Sequence, residues 1–341
     1  MPRFTPSPET FLVEEIPAYQ PSGTGEHTFI WIEKRSLTTF DAVNRLGRRL
    51  GIEAREIGYA GMKDRHATTR QWLSLPRISP ELAREAGDDQ LFVLGAARHG
   101  NKLRVGHLRG NRFEVVVTEL LGDGDRVRLV EGLARLASEG LPNRYGNQRF
   151  GSHADNSGRG LAILRGQDRE RDHRRRRLML SALQSAVFNQ VLELREAAGL
   201  LRTVLTGDVL QKVETGGVFV TEDPSTDQRR LDAGELVVTG PMPGGWAREP
   251  PAGSRAREIE DQALLAVGAS RQELSAFGRD LPGTRRPLLV EVVLQPAAAT
   301  LVPDHPEAVR LHFQLPAGTY ATVLIEALGV TVDAPHVATP L

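Results

Sequence analysis

Apolar and polar positions repeat with two different periods along this chain, and the switches between them divide it into elements. "TFLVEEI" (10–16) and "HTFIWIEKR" (27–35) are short β-rich runs, the second partly alternating, joined by the turn-rich "PAYQPSGTGE"; they read as neighbouring strands. Next, Phe40, Val43, Leu46 and Leu50 recur at steps of three and four, which predicts a helix capped by Thr38 or Thr39 and ended by Gly51. A strand-like "IGYAG" then runs into a polar loop, and "QWLSL", "LFVLGAARHG" and "NRFEVVVTEL" supply further strands. "RVRLVEGLARLASEG" reads as a helix ending at Gly140.

The pattern breaks at "LPNRYGNQRFGSHADNSGRG" (141–160), rich in glycine, asparagine and arginine, and this stretch reads as a domain junction. Beyond it "RRRRLMLSALQSAVFNQVLELREAAG" is amphipathic, with Leu178, Ala182, Leu183, Val187 and Leu194 expected in a core. Short apolar runs and a helix near Glu258 to Val267 follow, then the strand "PLLVEVVL". The last element group, "VRLHFQLPAGTYATVLIEAL", reads as a strand, a turn and a helix that Thr319 would cap. If that strand rejoins the N-terminal sheet, the middle of the chain is an insertion. Strands and helices mix without strict βαβ alternation, so the expected class is α+β.

Composition removes several chemistries. The 341 residues suffice for about two domains, and 40% hydrophobic with 25% charged residues is ordinary for a globular chain. No apolar run approaches the roughly 20 residues of a membrane span, and "MPRFTPSPETF" lacks a signal-peptide layout, so a cytoplasmic protein is expected. Zero cysteines exclude thiolate chemistry and disulfides. Nine histidines form no HExxH pair, and neither GxxxxGK[ST] nor GxGxxG after a strand occurs, so neither a metal nor a nucleotide cofactor is expected. Net charge is zero; nucleic-acid binding would need local charge. Arginine dominates the cations, with lysine only at 34, 63, 102 and 212.

Four stretches carry candidate chemistry. In "GYAGMKDRHATTRQW" (58–72), Asp64 lies between Lys63 and Arg65: a solvated turn, or a carboxylate held ionised beside small residues as a nucleophile, with His66 as a base or a hydrogen-bonding residue. In "LRGNRFEVVV", Asn111 and Phe113 are turn and core residues, or an amide reading a base edge and a ring stacking on the base. "NRYGNQRFG" interleaves Arg144, Tyr145, Arg149 and Phe150 with glycines, which suits unstacked nucleotides or a packed junction. "LRGQDRERDHRRRRL" ends in Arg174, Arg175, Arg176 and Arg177, the densest local positive field and a phosphate-contact candidate, though such runs also serve as solvated surface. The residues alone leave each pair of readings open.

At "GYAGMKDRHATTRQW" the sequence resembles the TruD family of tRNA pseudouridine synthases, whose signature is close to G-[YF]-A-G-[LM]-K-D-[RK]-[RH]-A. "FLVEEIP", "GEHTFIWIEKR", "LRGNRFEVVV", "NRYGNQRFG", "SALQSAVFNQVL" and "QLPAGTYATVLIEAL" match in the family's order, from about Phe11 to Leu328 and weakly between Leu200 and Pro287. The resemblance implies a pseudouridine-synthase core, a mixed and largely antiparallel sheet flanked by helices, with an inserted second α/β domain. The expected division is 1–140, an insert at 141–295, and a return at 296–341. It implies isomerisation of uridine 13 in the D arm of tRNA without a cofactor; a monomer is expected. Asp64 falls on the catalytic aspartate; Lys63 is expected beside it in substrate binding. Asn111 and Phe113 fall on pocket residues, Tyr19 on an aromatic that is commonly Phe, and Tyr320 where bacterial members usually have Phe. Arg144, Arg149 and Arg174 to Arg177 are expected to contact RNA. Two other classes stand beside this one: an RNA-binding or RNA-chaperone protein on the same fold without turnover, and a carboxylate nucleosidase, which needs a second acid.

Overall fold

The computed structural model describes residues 1–151 and 155–334. The chain forms two compact units, Met1–Gly140 with the segment from Glu291 onward, and Leu141–Val290.

The first unit is built on one sheet. Its strands are β1 (Phe11–Pro17), β2 (His27–Arg35), β3 (Gly58–Tyr59), β4 (Thr68–Pro76), β5 (Leu91–His99), β6 (Leu108–Val117), β7 (Val293–Val302) and β8 (His305–Pro316). They lie in the order β7-β8-β6-β1-β4-β2-β5, with β3 beside the far end of β4. The β1–β4 contact is parallel and the other pairings are antiparallel. The first two strands are therefore not neighbours, because β4 lies between them. Their ten-residue connection is too long to dictate a hairpin, and β4 completes the ladders of both. At the other end β8 pairs with β6 from Val309 opposite Val117 to Pro316 opposite Gly110, so the late strand does rejoin the N-terminal sheet.

Register defines the two faces. Lys34 is opposite Thr69, Thr69 opposite Val13, Val13 opposite Phe113, and Phe113 opposite Phe313, all in one row on the inner face. Two residues along, Glu15 is opposite Asn111 and Asn111 opposite Leu315 on the same face. The opposite face carries a charged mesh, with Arg70 bonded to Glu33 at 2.9 Å and to Glu14 at 3.3 Å, and Arg112 bonded to Glu14.

Helix α1 (Thr39–Leu50) packs its Ala42, Val43 and Leu46 with Ile30, Ile32 and Leu73 of the sheet. Thr38 and Asp41 form a reciprocal capping box, and Gly51 closes the helix at φ 67°. Phe40 departs from the expected stripe and is 51% exposed, because the buried stripe runs through Thr39, Ala42, Val43, Leu46 and Gly47. Helix α2 (Asp123–Glu139) ends at Gly140, as its pattern predicts.

The second unit has its own sheet, antiparallel in the order Val218–Val220, Val209–Lys212, Leu236–Met242, Thr284–Pro287. Against it lies the core of α3 (His173–Ala197), where Leu183, Val187, Phe188 and Leu192 are buried with Ile259 and Leu264 of α4 (Arg255–Val267). Helix Asn156–Leu164 sits close against α3: a Cβ at Gly160 would lie 2.3 Å from Met179 O, so only glycine fits there. Ala182, Leu183 and Val187 are core residues as expected and Leu194 packs at the edge, but Leu178 is exposed at the helix's first turns, ahead of the buried stripe that begins at Met179. Leu141–Pro142 pairs antiparallel with Leu289–Val290, joining the two ends of this unit. No helix among the described residues is long and apolar enough to cross a membrane.

Candidate active site

Residues 60–66 leave β3 and cross the inner face of the first sheet, tied down repeatedly along the way. Ala60 O accepts from Gly106 N at 2.8 Å, and Gly61 O accepts from Gln71 Nε2 at 3.1 Å. Lys63 N donates to Thr39 Oγ1 at 2.9 Å, and that hydroxyl donates to Gln71 Oε1 at 2.9 Å. Lys63 Nζ donates to Glu15 Oε2 at 2.9 Å, with the two side chains 3% and 1% exposed. Glu15 Oε1 also accepts from Trp72 N at 3.3 Å. Burial pushes the Glu15 carboxyl up, and Lys63 pulls it back down.

Asp64 stands at the end of this chain of restraints and is exposed. Its carbonyl oxygen accepts from Lys34 Nζ at 2.9 Å, and its Oδ1 accepts from His66 N at 3.0 Å. Among the described residues nothing donates to Asp64 Oδ2. The backbone of His66, not its ring, is what meets the carboxylate. The carboxylate is thus held in place from its main chain while one of its oxygens faces solvent. That combination suits a reagent better than a structural ion pair.

Lys34 is fully buried and also donates to Leu37 O. Burial pushes its ammonium down to about 8, while Asp64 and Asp41 pull it up and Lys63 pushes it further down. Lys34, Glu15, Gln71 and the Thr39 hydroxyl are site groups that no motif in the sequence singles out. Two signals marked Lys34: it shares its parity with Ile30 and Ile32 on an inward face, and it is a lysine in a chain that otherwise uses arginine. Both buried lysines, 34 and 63, belong to this site. A linear ammonium fits a narrow buried slot where a planar guanidinium with five donors would leave some unsatisfied.

The other expected residues divide. Asn111 lies beside Glu15 in the ladder, and its Oδ1 is buried with no hydrogen-bond partner among the described residues. Such an orphaned acceptor costs about 1–3 kcal/mol unless something donates to it. Phe113 is 5% exposed and stacks with Phe11 at 6.2 Å and Phe313 at 5.4 Å. Its ring belongs to the core stack and is not open to a base. This corrects the stacking expectation, since three inward-facing rings on adjacent strands satisfy one another. Tyr19 stacks on His99 at 5.2 Å and its hydroxyl meets His107 Nδ1 at 2.7 Å. Tyr320 is 37% exposed at the start of α5 (Ala321–Ala327). It occupies the cap position itself; Thr319 makes no capping bond, and its hydroxyl is buried without a hydrogen-bond partner among the described residues.

In the second unit, Arg144 is ion-paired to Glu196, and Arg149 bonds Ser185 Oγ at 3.1 Å and Ser181 Oγ. Arg149 and Arg286 both lie over the Tyr145 ring, at 5.2 and 4.3 Å, so this glycine-rich segment is a packed junction on α3. Arg176 pairs with Asp280 at 3.3 Å and covers Phe277. Arg174, Arg175 and Arg177 are exposed and have no carboxylate partner among the described residues. They crowd the N-terminal turn, where the helix dipole disfavours cations by about 0.3–1 kcal/mol each. Asp172 caps that turn through Oδ1, at 2.8 Å from Arg174 N and 3.1 Å from Arg175 N.

Comparison with known proteins places the chain in a family. The family model described as tRNA pseudouridine synthase D (TruD) matches residues 3–171 and 169–328. The tRNA pseudouridine synthase D of Anaeromyxobacter sp. (strain Fw109-5) is 41% identical over 330 residues, covering 94% of this chain and 90% of that protein. The one from Thermus thermophilus is 40% identical over 319 residues, covering 93% and 86%. A solved Methanosarcina mazei structure described under the same TruD name is 23% identical and covers 96% of this chain and 94% of its own, with a TM-score of 0.74; the fold is shared.

Proposed function

The chain belongs to the TruD family of tRNA pseudouridine synthases, and on that premise we propose that it isomerises uridine to pseudouridine at position 13 in the D arm of tRNA, with Asp64 as the reacting carboxylate. The observation that carries the assignment of Asp64 is its exposed carboxylate on a loop that Lys34, Thr39, Gln71 and the Glu15–Lys63 pair fix from beneath.

The reaction breaks the N1–C1′ bond, turns the uracil and joins C5 to C1′; the proton leaving C5 is matched by one gained at N1. No electrons are gained or lost, so the chemistry as written needs no redox partner, and the reading is of a cytoplasmic enzyme that acts without a metal or nucleotide cofactor. Asp64 Oδ2 supplies the carboxylate oxygen, whether it attacks C1′ or C6 or removes a sugar proton. The base has first to leave the RNA stack, at a cost of about a few kcal/mol. Tyr320, accessible at its helix start, offers a ring to offset that cost, and Asn111 Oδ1 offers an acceptor for the uracil N3–H. Tyr19, Lys63 and Phe113 shape the pocket from below. Arg174, Arg175 and Arg177 contact phosphates, and Arg144, Arg149 and Arg176 support that surface through their own internal bonds.

Chemical mapping of pseudouridine in total tRNA, with and without the protein, tests this directly. The expected result is one new modified site in the D arm that disappears with Asp64→Asn. Retained modification by that variant would remove Asp64 from the chemistry.

A further inference from the structure

A cleft of about 500 Å³ opens in the first unit beside the Asp64 loop, lined by Phe40, Val43 and Asn44 of α1, by Ala54, Arg55 and Ile57 to Tyr59, and by Lys102 to Val105. Three features of it have no part in the chemistry above. Phe40 is half exposed and meets Tyr59 edge to face, with ring centroids 6.0 Å apart. Arg55 and Arg104 are exposed and have no carboxylate partner among the described residues, while Lys102 Nζ spends one donor on Arg55 O at 2.7 Å. The lining contains cations, an amide and apolar groups but no carboxylate.

The cleft and the Asp64 loop share their walls. Thr39, the residue before Phe40, receives the Lys63 N–H, and Gly106, the residue after Val105, donates to Ala60 O. Tyr59 itself is five residues from Asp64. Gly58 makes the floor: a Cβ there would lie 2.3 Å from Leu103 O, so glycine is what lets the 102–105 segment close down on β3.

An exposed aromatic ring beside two arginines without carboxylate partners is the recognition chemistry of single-stranded nucleic acid, in which a base stacks on an aromatic ring and its phosphates meet basic groups. We propose that this cleft binds a nucleotide neighbouring the reacting uridine in the same RNA strand, with its base on Phe40 and its phosphates at Arg55 and Arg104. The inference rests on the tRNA reading above and extends it to a second, non-reacting base. Because stacking is tolerant of base identity, the cleft adds affinity and strand direction rather than sequence choice.

The test uses the full chain and transcribed tRNA. Phe40→Ala is expected to raise KM for pseudouridine formation, and the Kd for tRNA, about tenfold while leaving kcat within about twofold, and Phe40→Trp is expected to restore both. Arg55→Ala with Arg104→Ala is expected to weaken binding and lower its salt dependence. Unchanged KM and Kd in Phe40→Ala would overturn the proposal while leaving the catalytic reading intact. If the wild-type protein formed no pseudouridine, the catalytic reading would fail, and the Kd comparison would still decide the cleft: a tenfold loss supports it and equal affinity overturns it.

Discussion

The Asp64 loop and the first turn of α3 both gather cations, and they treat them in opposite ways. In the loop, Lys34 and Lys63 are buried, Lys34 bonded to two carbonyls and Lys63 to Glu15, and both serve to hold one carboxylate outward. In α3, Arg174, Arg175 and Arg177 are exposed and unpaired among the described residues, on the end of a helix that repels them. The first arrangement costs desolvation and gains geometry. The second costs a little helix stability and keeps charge available to a polyanion. Positional precision and long-range attraction are separable here, because they are built from different cations in different units.

That separation can be broken or sharpened by substitution. The largest effect belongs to the carboxylate: Asp64→Asn is expected to cut the rate of pseudouridine formation by at least about a thousandfold while tRNA affinity stays within about threefold. A parallel loss of affinity would mean that the loop also attracts RNA. Next comes the scaffold beneath it. Glu15→Gln leaves Lys63 buried without its counter-charge and is expected to cost about 3–5 kcal/mol of stability, read from the urea midpoint, with a smaller loss for Glu15→Gln combined with Lys63→Met.

Lys34 gives a pH signature. Its pKa is about 8 in the folded chain against the ordinary 10.5 of a lysine, so between those values the unfolded chain holds a proton that the folded chain has released. Its contribution to stability therefore rises with pH across that window. The wild-type minus Lys34→Met difference in urea midpoint should shift in favour of wild type from pH 8 to pH 10, and a flat difference would contradict the depressed value. Smallest is the α3 turn: replacing Arg174, Arg175 and Arg177 by Ala is expected to reduce the slope of log Kd against log salt by about two to three without changing kcat. An unchanged slope would return those arginines to ordinary surface.

Much of the scaffold could be read from the chain, and much of the site could not. The α1 caps, Gly51, Gly140 and the span of β2 were legible because each depends on local backbone chemistry. The placing of β4 between β1 and β2 was not, since strand order is decided by distant partners that leave no local mark. Asp64 stood out by its neighbours in sequence, but its anchors come from β1, β2, α1 and β4 and converge only on folding. Phe113, left open between core and pocket, and Phe40, expected in the apolar stripe of α1, could not be told apart for the same reason. Both are phenylalanines in apolar patterns, and only the packing shows that the first lies inside a ring stack while the second faces out into a cleft.

The pairing of Leu141–Pro142 with Leu289–Val290 has a consequence for how the protein is made. On the ribosome, β6 emerges long before its partner β8, and the intervening segment of about 190 residues would have to be spanned as a loop. Because the insert clasps its own two ends, folding of the second unit shortens the effective tether between β6 and β8 to a few tens of residues. Each halving of a flexible loop saves about 0.6 kcal/mol of closure entropy, so the clasp is worth roughly 1–2 kcal/mol to the sheet beneath the Asp64 loop. Folding of the insert thus favours the closing of β8 onto β6, the last pairing of the split sheet to become available.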